Sequence, residues 1–166
     1  MKRFDAEAAR ALAAAATAHP RARLNLNWHD PAVDPVQRFF NHLSARTYVR
    51  PHRHEAQSRW ELTLLLTGTV DLLRFDDEGT LIARERLQPD GLRAVEVPAA
   101  VWHSYAVPED QEALLFEIKE GPYQAALDKR FAEWAPAETD WDASQCRDWM
   151  RYGVLGSRFR RRASRR

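Results

Sequence analysis

From about residue 60 to residue 119 the chain repeats one pattern: a short apolar or alternating run, then a turn signal. Trp60–Leu66 ends at Gly68, Thr69–Phe75 at Asp76-Asp77-Glu78-Gly79, and Thr80–Leu87 at Pro89-Asp90-Gly91. Arg93–Val97 stops at Pro98, after which Trp102–Val107 and Ala113–Lys119 follow. With Thr47–Val49 ahead of Pro51 this makes seven strand-length runs. So many short strands joined by tight turns predict an antiparallel sandwich or small barrel.

The flanks read differently. Residues 1–20 form an exposed, Ala-rich helix stopped by Pro20. Its basic start and alanines imitate a signal peptide, but Asp5, Glu7 and Arg10 interrupt the apolar stretch. Residues 21–125 are expected to hold the β domain with a leading helix. In that helix Asp34 is the N-cap, Pro35 occupies the first turn, and Val36, Phe39, Phe40 and Leu43 form the apolar stripe. Residues 126–157 read as a helical extension, with Leu127, Phe131 and Trp134 at helical spacing before Pro136. Trp134, Trp141 and Trp149 are expected to anchor it to the barrel, whereas Trp60 and Trp102 flank the strand histidines and acids and pack against helices. Residues 158–166 are a basic tail.

At 166 residues the chain suits one domain with a proper core. No apolar run approaches the roughly 20 residues that cross a bilayer. One cysteine, Cys146, excludes an intrachain disulfide and a multi-cysteine zinc site, and points to the cytoplasm. The net charge of +1 hides an asymmetry. Six arginines lie between Arg158 and Arg166, and without them the rest carries 19 basic against 24 acidic residues. An acidic body with a short basic end is not a nucleic-acid-binding domain, and the tail is expected to be a solvated, frayed terminus.

Chemistry concentrates on three histidines. His52 and His54 are two apart, which on an extended strand puts both imidazoles on one face. Glu61 opens the next apolar run, and His103 lies far along the chain after Pro98-Ala99-Ala100-Val101-Trp102. Three imidazoles and a carboxylate suit one divalent first-row metal such as Fe(II), Mn, Ni, Zn or Cu. His19 and His42 join no such cluster. His29, before Asp30-Pro31, caps that turn or reaches the barrel mouth to support the metal ligands.

These residues carry a resemblance. His52-x-His54, Glu61 and Gly68 resemble the first cupin motif, and Gly91 with Pro98-x-Ala100-x-x-His103 resembles the second. The run between His54 and Glu61 is longer than in the family pattern, and Ala100 stands where glycine is usual. Thr47-Tyr48-Val49-Arg50-Pro51-His52-Arg53-His54, Phe116-Glu117-Ile118-Lys119-Glu120-Gly121-Pro122-Tyr123 and Asp128-Lys129-x-Phe131-Ala132-x-Trp134-Ala135-Pro136, with Asn27-x-His29, are similar to the WbuC-type cupin-fold metalloproteins over about residues 21–136. The resemblance implies a mainly β protein, a cupin-type antiparallel jelly-roll barrel with flanking N- and C-terminal helices. It also implies a homodimer and a link to bacterial surface polysaccharides.

Alternation extends the site. With His52 and His54 inward, Tyr48 and Arg50 share their face unless Pro51 shifts the register. Arg50 would then bind a carboxylate or phosphate, and Tyr105, on the face of His103, is a further substrate-binding candidate. On the last strand either Glu117 and Lys119 or Phe116 and Ile118 face inside. The resemblance favours the charged pair, which would serve as a catalytic acid/base and anion-binding element. Tyr123 is a further proton relay candidate. Two readings follow: a metal-dependent enzyme on a small polar, anionic or sugar-derived substrate, of isomerase/epimerase or Fe(II) dioxygenase type, or a non-catalytic metal- or ligand-binding sensor or assembly module. A purely structural barrel is the third. None of the six glycines builds a phosphate loop.

Overall fold

The computed structural model describes residues 1–30, 33–55, 60–124 and 128–161. Helix α1 (Ala6–Ala18) precedes β1 (Arg23–Asn27), β2 (Val36–Ser44), β3 (His52–Arg53), β4 (Glu61–Gly68) and β5 (Val70–Phe75). Then come β6 (Leu81–Leu87), β7 (Ala94–Val97), β8 (Trp102–Ala106), β9 (Glu112–Glu120), β10 (Arg130–Phe131) and helix α2 (Ala143–Tyr152). The strands make two five-stranded sheets, ordered β1-β2-β9-β4-β7 and β10-β3-β8-β5-β6. Every pairing between these strands is antiparallel. The chain passes from one sheet to the other at Gly68, whose φ is +82° and whose Cβ, if present, would lie 1.8 Å from the Glu112 carbonyl oxygen. Only glycine fits there.

Side chains of both sheets meet in an apolar interior of Leu43, Leu65, Val70, Leu72, Leu87 and Leu115. Helix α1 lays Leu12 on Phe40 and Leu114, covering the outside of the first sheet. The C-terminal segment covers the second with Ala132, Ala135, Cys146 and Met150 against Leu73, Phe75 and Leu81. The two covers let the antiparallel sheets bury both faces, unlike the one-sided sheets that alternation normally signals.

The expected leading helix is a strand. Val36, Phe39, Phe40 and Leu43 fit a helical stripe, yet β2 pairs with β9 over nine residues and with β1 over five. Leu43 enters the interior while Phe40 packs under α1, so burial on two faces of a strand imitates one face of a helix. Asp34 caps the strand's start rather than a helix: its carboxylate accepts from Val36 N at 2.9 Å and pairs with Arg38 at 2.6 Å. The expected N-terminal helix forms as α1 within residues 1–20, its start capped by Asp5, whose carboxylate accepts from Glu7 N and Ala8 N.

In the C-terminal extension helix α2 begins only at Ala143. Phe131 lies in β10, paired with His52, and Leu127 lies outside the described residues. Trp134 and Trp149 do anchor the segment, with ring centroids 5.1 and 5.9 Å from Phe75. Trp141 is exposed, as is Trp60, while Trp102 donates to Asp77 at 2.9 Å beneath the Arg53 guanidinium. The tail begins docked rather than frayed. Arg158 bridges to Thr80, Phe159 packs near Trp149, and Arg161 pairs with Asp140 and Asp142. Residues 162–166, and Pro31 of the expected Asp30-Pro31 turn, lie outside the described residues. No helix among the described residues is long and apolar enough to cross a membrane.

Candidate metal centre

β3 and β8 are neighbours in which His52 stands directly opposite His103, and His54 follows two residues on. The three side chains are buried, and one ring nitrogen from each falls within 4.8 Å of the others. Each ring is oriented through its other nitrogen. Nδ1 of His52 lies 3.0 Å from the Arg50 carbonyl, Nδ1 of His103 lies 2.9 Å from the Val101 carbonyl, and Nδ1 of His54 meets the Asp128 carbonyl. A carbonyl only accepts, so Nδ1 carries the proton and each Nε2 is left with a lone pair. Nε2 of His52 and of His103 are buried without a hydrogen-bond partner. Burial also holds His52 well below the usual imidazole range, the neutral state a metal ligand needs.

Glu61, at the start of β4, brings its carboxylate to this convergence. Oε2 lies 3.1 Å from His54 Nε2, and Oε1 lies 3.7 Å from His103 Nε2. Tyr105 donates to Oε1 at 3.1 Å and also bonds Thr63, fixing the carboxylate plane. Lone pairs of neutral imidazoles facing a carboxylate repel unless a cation lies among them. The donor set of three nitrogens and one carboxylate therefore fits a divalent transition metal, held in place by outer hydrogen bonds.

Beside the imidazoles opens a cavity of about 630 Å³, lined by His52, Glu117, Lys119 and Lys129 among others. On β9, Phe116 faces the α1 side and Glu117 and Lys119 face the cavity, so the charged pair is the interior one. Burial pushes the Glu117 carboxyl up to about 7; the Glu61 charge adds to this, and the bond donated by Asn41 at 2.8 Å opposes it. Lys119 pairs with Asp128 at 2.6 Å. Asp128 thus holds Lys119 by its side chain and His54 by its carbonyl.

Tyr48 and Arg50 are not on this cavity's wall. Val49, not its neighbours, joins the interior, because the alternation breaks at Pro51 before His52. Tyr48 donates to the Pro136 carbonyl at 3.0 Å, and Arg50 to the Ala132 carbonyl at 2.7 Å, both tying down the C-terminal segment. Tyr105 touches Glu61 instead of lining the cavity. His29 and Tyr123 do line it, His29 with Nδ1 2.8 Å from the Arg38 carbonyl. His42 pairs with Glu112, and His19 accepts from Arg21 N, both away from the centre. Asn41, Asp128 and Lys129 were given no role by sequence reasoning. One signal was available: the chain has three lysines, at 2, 119 and 129, and two of them meet here.

No curated protein matches the sequence. Solved structures share the fold. A cupin-like protein of Thermotoga maritima is 14% identical with a TM-score of 0.54, covering 80% of this chain and 85% of its own. The polyketide cyclase RemF of Streptomyces resistomycificus is 15% identical with a TM-score of 0.56, covering 74% and 78%. An L-ribose isomerase of Cellulomonas parahominis is 14% identical with a TM-score of 0.53, covering 67% and 69%. At such identities the likeness establishes the jelly-roll fold and no activity. The model of one family, a domain of unknown function, matches residues 4–87, half of the chain, from α1 through the histidine pair and Glu61 to β6, and the chain belongs to that family, DUF6016.

Proposed function

We propose that this protein is a metal-dependent enzyme that holds one divalent ion on His52, His54, Glu61 and His103 and shifts a proton on a small polar or anionic substrate. One observation carries the reading: three imidazoles, each tied at Nδ1 to a backbone carbonyl, gather one ring nitrogen apiece within 4.8 Å, and those of His54 and His103 turn Nε2 towards the buried Glu61 carboxylate. The bound metal would supply Lewis acidity, polarising a carbonyl or hydroxyl. Glu117 supplies the proton exchange. Its carboxyl, pushed to about 7, is half-ionised near neutral pH, where a general acid/base works best. Asn41 fixes the orientation of that carboxylate, and the Lys119–Asp128 pair walls the cavity beside it.

Isomerisation or epimerisation uses this set most fully, since it needs one polarised carbonyl and one group that removes and returns a proton. A sugar-derived substrate, a place in bacterial surface-polysaccharide metabolism and a homodimer rest on the WbuC-type motifs; cytoplasmic location rests on the single cysteine.

Metal analysis of freshly purified protein comes first, with about one equivalent of a transition metal expected. Incubation of the loaded protein with candidate aldoses and sugar acids in heavy water without oxygen should then place deuterium next to the carbonyl, and Glu117→Gln should abolish it. Oxygen consumption by the Fe(II)-loaded protein with no deuterium uptake would assign an oxygenase instead. Tight ligand binding with neither would assign a sensor.

A further inference from the structure

Of the 25 lysines and arginines in the chain only three are lysines, and the cavity takes Lys119 and Lys129. The cations around the cavity differ in what they already hold. Lys119 is paired with Asp128, and Arg23 with Glu138. Arg21 lies exposed at the rim. Lys129 is the exception: it lines the cavity half-buried, and among the described residues no carboxylate or carbonyl lies within hydrogen-bond distance of its ammonium. A half-buried ammonium with no acceptor is costly, and a ligand's acceptor relieves that cost.

We propose that Lys129 is the anion anchor of this cavity and selects small organic acids, donating to their carboxylate while the rest of the molecule faces the histidine cluster. This rests on the cavity beside the metal centre being the ligand site. A carboxylate suits it better than a phosphate. Phosphate sites gather arginine forks, glycine-rich loops or helix N-termini, whereas the cation left for a ligand inside this cavity is the compact ammonium of Lys129, Lys119 and Arg23 being already paired. The ligand must also be small enough for about 630 Å³.

The test uses the full-length zinc-loaded protein, with glycolate as the probe in calorimetry. Glycolate should bind the native protein about tenfold or more tightly than Lys129→Met, as expected for loss of a charge-assisted hydrogen bond. Lys129→Arg should recover part of the difference. Ethylene glycol, which lacks the charge, should bind both proteins alike, and inorganic phosphate should bind weakly to both. Equal glycolate affinity in native and Lys129→Met protein overturns the proposal, and so does a lysine-dependent preference for phosphate.

A second readout needs no metal. With three lysines in separate peptides, brief acetylation and mass mapping should show glycolate protecting Lys129 and not Lys2, in metal-free protein as well. Absence of that protection overturns the anchor. Failure of zinc to bind while the protection persists removes the metal-enzyme reading and leaves the anchor standing.

Discussion

The two halves of the barrel interior are built by the same strands and could hardly differ more. On β4 the inward positions run Glu61, Thr63, Leu65; on β9 they run Lys119, Glu117, Leu115; on β2 they run Asn41 then Leu43. One half is a packed apolar plug, and the other is a buried field of imidazoles, carboxylates and ammonium groups. Tyr105 sits at the boundary, its ring in the apolar cluster and its hydroxyl on Glu61. The apolar half thus supplies stability, whereas the polar half carries a desolvation cost that its internal hydrogen bonds, the Lys119–Asp128 pair and ligand binding offset.

The sharpest way to break that division is to remove a ligand from the polar half. His103→Ala or His52→Ala should lower metal affinity by more than the roughly 10–100-fold typical of an outer hydrogen-bond partner. His29→Ala should cost less than that, since His29 reaches only the cavity wall. Equilibrium dialysis measures all three, and equal losses would dissolve the assigned centre. In the apolar half Leu65→Ala should cost about 2–5 kcal/mol in urea unfolding, with metal affinity unchanged. A fall in metal affinity would show that the halves are coupled.

Glu117 sharpens the comparison through pH. Its folded value of about 7 exceeds the ordinary 4.5, so between these the folded state holds the extra proton. Stability from this group therefore falls as pH rises through that window. Metal-free native protein should lose on the order of 2 kcal/mol relative to Glu117→Gln between pH 5 and 8. Parallel pH profiles would place the carboxyl in ordinary surroundings. The smallest effect concerns Ala100, which has φ +64° and donates its N–H to the His54 carbonyl at 2.8 Å. Ala100→Gly should relieve left-handed strain and stabilise by about 1 kcal/mol, without altering metal binding. A loss of stability would show that the methyl packs usefully.

Much of this was legible in the residues. The six runs from residue 60 to residue 119 are β4 to β9 with ends shifted by one or two positions, because period-two alternation and Gly, Pro and Asp turns are local signals. His52, His54 and His103 stood out by residue type and spacing. Glu61, despite its long separation from His54, sits with them.

What the chain could not show alone depended on partners distant in sequence. β2 was masked because its two faces are buried by different neighbours, α1 outside and the barrel inside. The orientation of Arg50 turned on one parity break at Pro51, and it sends the guanidinium to Ala132 rather than the cavity. The inward register of Glu117 and Lys119 needed β2 and β4 on either side of β9. Asp128 and Lys129 enter the site only because β10 pairs with β3, bringing the C-terminal segment against the histidines. Local pattern thus determined which segments extend and which side chains can ligate. Sheet pairing and long-range packing decided which face each one turns inward, since side-chain direction in a strand is settled by the neighbour across the ladder.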